Sequence, residues 1–285
     1  YAPSGTDNRA WIQLPFGQTM QPAEMTKLAI IIFIPLLVCK AGKHVKNYEV
    51  LFRIFLWGAA AAAGVFILTD NLSTAIIVMG MVCVMLFVTH PKTAPFVGLA
   101  GAGVALIAIA IKIIDASMDT SSDFRLRRIL AWLHPEQYSD DGGFQVMQGL
   151  YAIGSGGFFG KGLGNSIQKL GKIPEPYNDF ILSILAEELG FLGVALVLCI
   201  FALFIWRGYK VARYAPDRFS SLTAFGITTL IAVQVIMNVA VVTSSMPVTG
   251  ISLPFFSYGG TSLVILLGSM GILLNISKQA HYDKF

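Results

Sequence analysis

In the stretch PEPYNDFILSILAEELGFLG, residues 174–193, three carboxylates lie at the start and along the first turns of an apolar run: Asp179, Glu187 and Glu188. Asp179 stands just before an apolar run of helical length, where a carboxylate could serve as a general base or simply as a helix N-cap. Glu187 and Glu188 follow about two turns later, and a carboxylate in an apolar span tends to mark a functional site or a buried partner. Because neighbouring helical residues point about 100° apart, at most one of the two glutamates should face a given groove.

A basic stretch precedes these acids in the chain. SSDFRLRRILAWLHPEQY, residues 121–138, alternates apolar residues with Arg125, Arg127 and Arg128, which predicts an amphipathic helix at a membrane interface. Such a helix can anchor in lipid headgroups alone. Its arginines can also hold a phosphate, because the guanidinium fork matches phosphate oxygens.

A glycine-rich run, GSGGFFGKGLGNS at residues 154–166, lies between the basic stretch and the acids, after a predicted short helix around residues 144–151. Glycines permit tight turns and expose backbone N–H groups that can cradle an anion, and Lys161, Lys169 and Lys172 stand nearby. The spacing matches neither a Walker A loop nor a dinucleotide fingerprint, and no strand precedes it. Tight turning without a ligand and anion binding both stay open.

Further polar residues occur at the ends of apolar segments. Glu24 and Lys27 share a helix face at i and i+3, as a local ion pair or as part of a site. Gln234 and Asn238 share a face at i and i+4. The following SSMPVTGISLPFFSYGGTS, which carries Tyr258 and no charge, indicates an ordered re-entrant corner. These groups gather on one side of the membrane, where a lipid headgroup would lie.

The elements that must position these residues are transmembrane helices. Of 285 residues, 55% are hydrophobic and 13% are charged, against about 25% charged in soluble domains. With a mean hydropathy of +0.69, the chain is predicted to be an all-α polytopic membrane protein. Spans of about 20 apolar residues are expected at 22–40, 51–68, 72–89, 94–114, 180–206, 219–243 and 257–277. We expect one transmembrane domain over 1–285, lacking the first helices of a longer protein.

The distribution of basic residues predicts the orientation. Eleven lysines and arginines lie in one set of alternate short connections and the tail, against Arg9 alone in the other set. By the positive-inside rule the basic side is cytoplasmic, so the long connection 115–179 is extracytoplasmic. The net charge of +4 gives no indication of a nucleic-acid partner. The three cysteines lie in apolar runs without metal-ligand spacing.

Four motifs in this order resemble the SEDS family (shape, elongation, division and sporulation), whose members include FtsW, RodA and SpoVE. They are QPAEMTKLA, GSGGFFGKGLGNSIQKL, PEPYNDFILSILAEELGFLG and PVTGISLPFFSYGGTS. The last is more similar to the FtsW and SpoVE branch. The resemblance covers the chain and implies the family's ten-helix fold, of which the seven spans match the last seven. The chain departs from the family at Tyr177 and Asn178, where His-Thr or Gln-Asn often precedes the aspartate.

The resemblance implies a peptidoglycan glycosyltransferase of the bacterial plasma membrane that polymerises lipid II in division or sporulation, with its active site on the extracytoplasmic face. The motif's catalytic aspartate falls on Asp179, expected to be the general base of an inverting reaction. The other expected substrate-binding residues are Glu24, Lys27, Arg127, Arg128, Lys169, Glu188, Gln234, Asn238 and Tyr258. Arg127, Arg128, Lys27 and Lys169 are the candidates to hold the pyrophosphate. No cofactor is expected to be obligatory, although Mg²⁺ or Mn²⁺ could join Asp179 to the phosphates.

The expected partner is a class B penicillin-binding protein, a single-span transpeptidase, together with other divisome or elongasome proteins. Two other functions stay open on the sequence. Polar groups within spans could line the path of a lipid-linked precursor flippase or transporter. The chain could also be a non-catalytic scaffold for a transpeptidase.

Overall fold

The computed structural model describes residues 11–13, 19–117, 124–138, 142–170, 173 and 176–281. Two-residue strands β1 (Ile12–Gln13) and β2 (Thr19–Met20) pair antiparallel, with Ile12 opposite Met20. The helices of this part of the chain are α1 (Pro22–Ala41), α2 (Tyr48–Thr69), α3 (Leu72–Thr89), α4 (Ala94–Ser117), α5 (Phe124–Leu133), α6 (Gly143–Gly156), α7 (Ile181–Tyr214), α8 (Arg218–Val242) and α9 (Gly260–Gln279), with a 3-10 turn at Gly42–Lys46 after α1. Arg9 and Lys172 lie outside the described residues.

In the described part of the chain, seven helices are long and apolar enough to cross a membrane, namely all but α5 and α6. They coincide with the seven spans predicted from the sequence, so the predicted all-α membrane fold is confirmed. The main difference is α7, which has 34 residues and is therefore longer than the predicted span at 180–206. The predicted short helices of the long connection are present as α5 and α6.

Local sequence signals set the helix ends. Pro22 opens α1, where its missing N–H leaves no intrahelical bond unmade, and Gly42 ends the helix at a φ of 53°. The side chain of Asn71 accepts a hydrogen bond from Thr74 N (2.9 Å) and so caps α3. Asp70, in the left-handed conformation, turns the chain between α2 and α3, and these two helices are therefore joined by a very short connection.

The described chain forms two compact units. The first comprises Tyr1–Thr93, Ala202–Val233 and Gly259–Phe285. Its core is apolar, with Ile31, Ile34, Val38 and Val78 fully buried. Close helix approach depends on small residues, since a Cβ at Gly58 would meet the side chain of Val82 at 2.5 Å. Helices α2 and α3 thus pack with Gly58 against Val82.

The second unit comprises Ala94–Phe201 and Gln234–Tyr258. It contains α4, α5, α6, the start of α7, the end of α8 and the connection that follows α8. His134 Nε2 lies 2.9 Å from Asp115 Oδ1, which joins the end of α5 to α4. Trp132 Nε1 donates to the carbonyl of Ser244 (2.7 Å), which joins α5 to the connection after α8. This unit contains Asp179 and both glutamates of α7.

Candidate active site

Asp179 lies in a turn at residues 176–180 that leads directly into α7. It is buried, with 7% of its surface exposed, and the next residue, Phe180, is fully buried. The Phe180 carbonyl accepts hydrogen bonds from Ser183 N (3.0 Å) and Ile184 N (3.3 Å) and so begins the helix. The ring of Phe180 packs on α6, where a Cβ at Gly149 would lie 2.7 Å from it. The turn is therefore fixed by the residue that follows the aspartate.

Three consecutive main-chain carbonyls of this turn accept hydrogen bonds from the region after residue 237. Asn238 Nδ2 donates to the Asp179 carbonyl (2.8 Å), Ser257 Oγ to the Asn178 carbonyl (2.6 Å), and Tyr258 N to the Tyr177 carbonyl (2.8 Å). We call these three donors the carbonyl clamp. The carbonyl clamp does not use the carboxyl group of Asp179. The main chain of Asp179 is therefore positioned independently of its own side chain.

The carbonyl clamp is itself held by the connection between α8 and α9. Asn238 Nδ2 also donates to the Ile251 carbonyl (2.9 Å), and Ser257 Oγ accepts from Leu253 N (2.7 Å). The sequence indicates an ordered corner here, which the structure confirms. The sequence also predicts that Asn238 binds substrate. In the structure the side-chain amide of Asn238 is fully buried and donates to two backbone carbonyls of the protein. The sequence feature that could have indicated this structural role is a single Asn in an apolar helix, followed by a Pro- and Gly-rich connection.

We expect Asn238→Asp to lower both stability and polymerisation. The variant loses both N–H donors and leaves two buried carbonyls unsatisfied, at a cost of about 1–3 kcal/mol each. A displaced Asp179 should slow the reaction by about tenfold or more, because about 1.4 kcal/mol corresponds to a factor of ten. Thermal unfolding and lipid II polymerisation would measure the two effects. Asn275→Asp, on the exposed side of α9, is the matched control, and an equal response of both variants would contradict the clamp.

Arg128 brings positive charge to the neighbourhood of Asp179. It is half-buried on α5, next to the half-buried Arg127. Burial lowers the pKa of the Arg128 guanidinium from its ordinary value, while the negative charge of Asp179 acts to raise it. An arginine in proteins stays charged under such shifts. Arg128 therefore places a permanent cation within electrostatic reach of the carboxylate.

Glu187 is the centre of a buried polar cluster on α7. Its fully buried carboxylate accepts from Lys161 Nζ (2.7 Å), Ser166 Oγ (2.6 Å) and, through backbone N–H groups, from Ile167 (3.3 Å) and Gln168 (3.2 Å). The glycine-rich run and the two residues after it thus surround an anion, while binding of a ligand anion by this run stays a prediction. The anion in the structure is the protein's own carboxylate.

Glu188 binds the same loop as Glu187. Its carboxylate accepts from Lys169 Nζ at 2.6 Å, and the Lys169 side chain also donates to the Gly164 carbonyl (2.8 Å). The sequence predicted that at most one of the two glutamates faces a given groove, and the two carboxylates nevertheless bind one loop. Neighbouring side chains do point apart, but the loop reaches around the helix, with Lys161 on one carboxylate and Lys169 on the other.

Helix α7 is interrupted at Gly190, whose φ of 68° and ψ of −171° are not helical. The glycine-rich loop replaces the lost helical hydrogen bonds. Lys161 N and Gly162 N donate to the Glu187 and Glu188 carbonyls, each at 2.9 Å. In return, Phe191 N donates to the Gly157 carbonyl (2.9 Å) and Leu192 N to the Phe158 carbonyl (3.2 Å). Four backbone hydrogen bonds therefore join loop and broken helix, which the sequence did not predict.

The remaining candidate residues lie in different surroundings. Lys27 is buried and forms an ion pair with Glu24 at 2.6 Å at the start of α1, in the first compact unit. This confirms the local ion pair, one of the two interpretations of that motif. Gln234 is buried on α8. Tyr258 contributes its backbone N–H to the carbonyl clamp, while its side chain is highly exposed.

The arrangement suits acid–base chemistry on a substrate that carries negative charge. A carboxylate on a fixed turn can take a proton from a hydroxyl, and a nearby arginine can stabilise a phosphate. Within the described ranges no group of three or more His, Cys, Asp or Glu side chains could hold a metal ion. Asp179 could still contribute one carboxylate oxygen to a cation that is otherwise bound by substrate phosphates, as Mg²⁺ often is.

Comparison with known proteins gives matches over nearly the whole chain. The family model described as "Cell cycle protein" (FtsW, RodA and SpoVE) matches residues 1–282. "Stage V sporulation protein E" of Bacillus subtilis (strain 168) is 39% identical over 276 residues, which cover 96% of this chain and 73% of that protein. "Probable peptidoglycan glycosyltransferase FtsW" of Geobacter sp. (strain M18) is 39% identical over 269 residues, or 94% of this chain and 71% of that protein.

Solved structures share the fold. A chain from work described as "Structural coordination of polymerization and crosslinking by a peptidoglycan synthase complex" aligns with a TM-score of 0.72 and 25% identity, over 99% of this chain and 76% of that chain. The rod shape determining protein RodA of Thermus thermophilus aligns with a TM-score of 0.61 and 26% identity, over 99% of this chain and 73% of that chain.

Proposed function

Because this chain belongs to the FtsW, RodA and SpoVE family of cell cycle proteins, we propose that it is a peptidoglycan glycosyltransferase that polymerises lipid II with Asp179 as its general base. With seven apolar helices and this family membership, it is a multi-pass membrane protein. The observation that carries the proposal is the carbonyl clamp, which fixes the main chain of Asp179 at the start of α7. Polymerisation of lipid II by the purified full-length protein tests it.

The reaction transfers a sugar from a polyprenyl pyrophosphate donor to the 4-hydroxyl of an acceptor GlcNAc. The bond from the donor's C1 to the pyrophosphate oxygen breaks, and a bond from C1 to the acceptor oxygen forms. An α-linked donor gives a β-linked product, so the configuration inverts. Asp179 takes the proton of the acceptor hydroxyl, which makes the oxygen a better nucleophile as the new bond forms.

The leaving pyrophosphate carries negative charge that must be stabilised. We assign this task first to Arg128 and its neighbour Arg127, because the charges of Arg128 and Asp179 interact. Lys27 and Lys169 already bind Glu24 and Glu188. For Lys27 or Lys169 to bind substrate, its ion pair with the glutamate must open.

A divalent cation fits the proposed site as a shared ligand. Asp179 would supply one carboxylate oxygen, and the phosphates of the donor would supply the others. Such a cation would neutralise part of the charge on the leaving group. The protein itself would still have to place the acceptor hydroxyl against Asp179 and accept its proton.

The flippase and scaffold interpretations gain no specific support from the described part of the chain. Several polar groups that could line a transport path make internal bonds instead. Glu24 binds Lys27, Glu188 binds Lys169, and Asn238 binds two backbone carbonyls. The likeness to glycosyltransferases named FtsW favours the enzyme.

We propose that the connection 115–179 faces the outside of the bacterial plasma membrane and that 40–50 and 207–218 face the cytoplasm, following the distribution of basic residues. Glu136 in the long connection and Lys43 after α1 are both described and exposed, which makes them suitable labelling positions. In a variant without native cysteines, Glu136→Cys should react with an impermeant thiol reagent added outside. Lys43→Cys should react only after permeabilisation. The reverse pattern would contradict the orientation.

We expect the protein to act with a class B penicillin-binding protein, alongside other divisome or elongasome proteins. Support comes from the likeness to a chain of a peptidoglycan synthase complex described as coordinating polymerization and crosslinking. The full-length protein and the transpeptidase should co-purify from detergent, and adding the transpeptidase should raise the polymerisation rate. An unrelated single-span protein is the control. An unchanged rate at saturating transpeptidase, with no complex, would contradict the partnership.

A further inference from the structure

The tip of the glycine-rich loop presents a cluster of exposed apolar side chains. Phe158 stacks on Phe191 of α7 with ring centroids 5.6 Å apart, and Phe159 packs edge-on against Phe158 at 5.4 Å. Phe159 is 78% exposed and Leu163 is 75% exposed. We call Phe158, Phe159, Leu163 and Phe191 the aromatic tip. An apolar cluster of this kind marks a surface that another apolar phase or a partner covers.

The aromatic tip carries no outward charge. Between Gly157 and Leu163 the sequence has one charged residue, Lys161. Its ammonium group binds the buried carboxylate of Glu187 at 2.7 Å and Ser155 Oγ at 2.9 Å. The only charge of this segment is thus paired with an internal carboxylate, which removes the main electrostatic obstacle to contact with hydrocarbon.

The sequence of α7 places the aromatic tip at the edge of the hydrocarbon core. From Leu189 to Trp206 the helix has eighteen residues without charge, with Glu188 before them and Arg207 after them. At ~1.5 Å per residue this run is about 27 Å long, close to the roughly 30 Å of a bilayer core. The break at Gly190 therefore lies at one boundary of the core, and both glutamates lie just outside it.

The aromatic tip is continuous with an exposed apolar stripe on α7. Leu192, Leu196 and Ile200, spaced four residues apart, are all exposed on one side of this helix. In a spanning helix such a stripe faces lipid acyl chains. Because Phe191 begins the stripe and Phe158 stacks on Phe191, the loop extends the same lipid-facing surface.

The part of the loop backbone that lies against α7 is satisfied by protein. Non-helical backbone at membrane depth is tolerated only where its polar groups are satisfied by protein or by water. The four hydrogen bonds between residues 157–162 and 187–192 satisfy two carbonyls and two N–H groups of the loop, and an equal number on the broken helix. We propose that the side chains of the aromatic tip insert beside α7 into the edge of the acyl-chain region of the bilayer, with membrane lipid as their occupant, while the backbone at Lys161 and Gly162 stays at the boundary with Glu187 and Glu188.

Site-directed fluorescence in lipid vesicles tests this insertion. Cys39, Cys83 and Cys199 of the full-length protein are replaced by Ala, and Phe159→Cys is labelled with an environment-sensitive fluorophore. The vesicles contain phosphatidylethanolamine and phosphatidylglycerol, with or without lipids that carry a nitroxide on the acyl chain. We expect strong nitroxide quenching, blue-shifted emission, and iodide quenching several-fold weaker than for the same label at the exposed Glu136. Phe191→Cys is the lipid-facing comparison.

The possible outcomes separate lipid from other occupants. Iodide quenching equal to that at Glu136, with no nitroxide quenching, would overturn the insertion. Nitroxide quenching that disappears when a polyprenyl phosphate is added would assign the surface to a polyprenyl chain and overturn the choice of bulk lipid. Protection that arises only after a transpeptidase is added would assign it to a protein partner. Leu163→Cys repeats the measurement should Phe159→Cys fail to purify as a monodisperse protein.

Discussion

Asp179→Asn is expected to lower the rate of lipid II polymerisation by about 10²- to 10⁴-fold, the usual contribution of a positioned general base. An amide cannot take the proton of the acceptor hydroxyl. The fold should persist, because the carbonyl clamp binds the main chain of Asp179 and Asn remains a good residue before a helix. The rate would be measured with purified full-length protein and labelled lipid II.

A matched variant separates the loss of this carboxylate from a general effect of charge removal. Asp217→Asn changes a carboxylate that accepts from Ser220 N (3.0 Å) and Ser220 Oγ (2.6 Å) ahead of α8. It should leave polymerisation close to the wild-type rate. If Asp179→Asn polymerises as fast as Asp217→Asn, then Asp179 is a structural residue and the proposed base is wrong.

Glu187→Gln is expected to cause a large loss of stability. Both carboxylate oxygens accept from several donors, so a Gln side chain would turn its own N–H groups towards Lys161, Ser166 or the loop backbone. Breaking a buried ion pair costs about 3–5 kcal/mol. Because Lys161 is about one third exposed, we expect the lower end, about 3 kcal/mol, or about 6 °C or more in melting temperature.

Glu188→Gln is the matched control for this prediction, since it changes the neighbouring residue in the same way. Glu188 has one short ion pair with Lys169 and a longer contact from Ser166 N at 3.4 Å. It is also more exposed than Glu187, so we expect a loss of about 1 kcal/mol. Thermal unfolding in detergent would compare the two proteins, and a larger loss in Glu188→Gln would contradict the central role of Glu187.

The sequence predicted the features that depend on composition and local spacing. Runs of about 20 apolar residues specify spanning helices whatever their neighbours are, and all seven spans are present. The ion pair of Glu24 with Lys27 could be predicted because residues at i and i+3 meet on one helix face. The position of Asp179 just before α7 could be predicted because the sequence changes there from polar to apolar residues.

Features that depend on contacts distant in the chain could not be predicted in the same way. Gly190 is one of several glycines in an apolar run, and its positive φ follows from hydrogen bonds to residues about thirty positions earlier. The role of Asn238 depends on a carbonyl 59 residues away. Periodicity shows which residues share a face but not which loop will reach that face.

The carbonyl clamp has a consequence for sequence divergence. Each residue within a chain carries a backbone carbonyl whatever its side chain, so a turn held through carbonyls places little demand on the side chains it carries. Tyr177 and Asn178 are held in this way, through their carbonyls. Residues 177 and 178 can therefore differ from the His-Thr or Gln-Asn that often precedes the aspartate in the family, without displacing Asp179. Substitutions should accumulate more freely at 177 and 178 than at Asn238 and Ser257, whose side chains supply the donors.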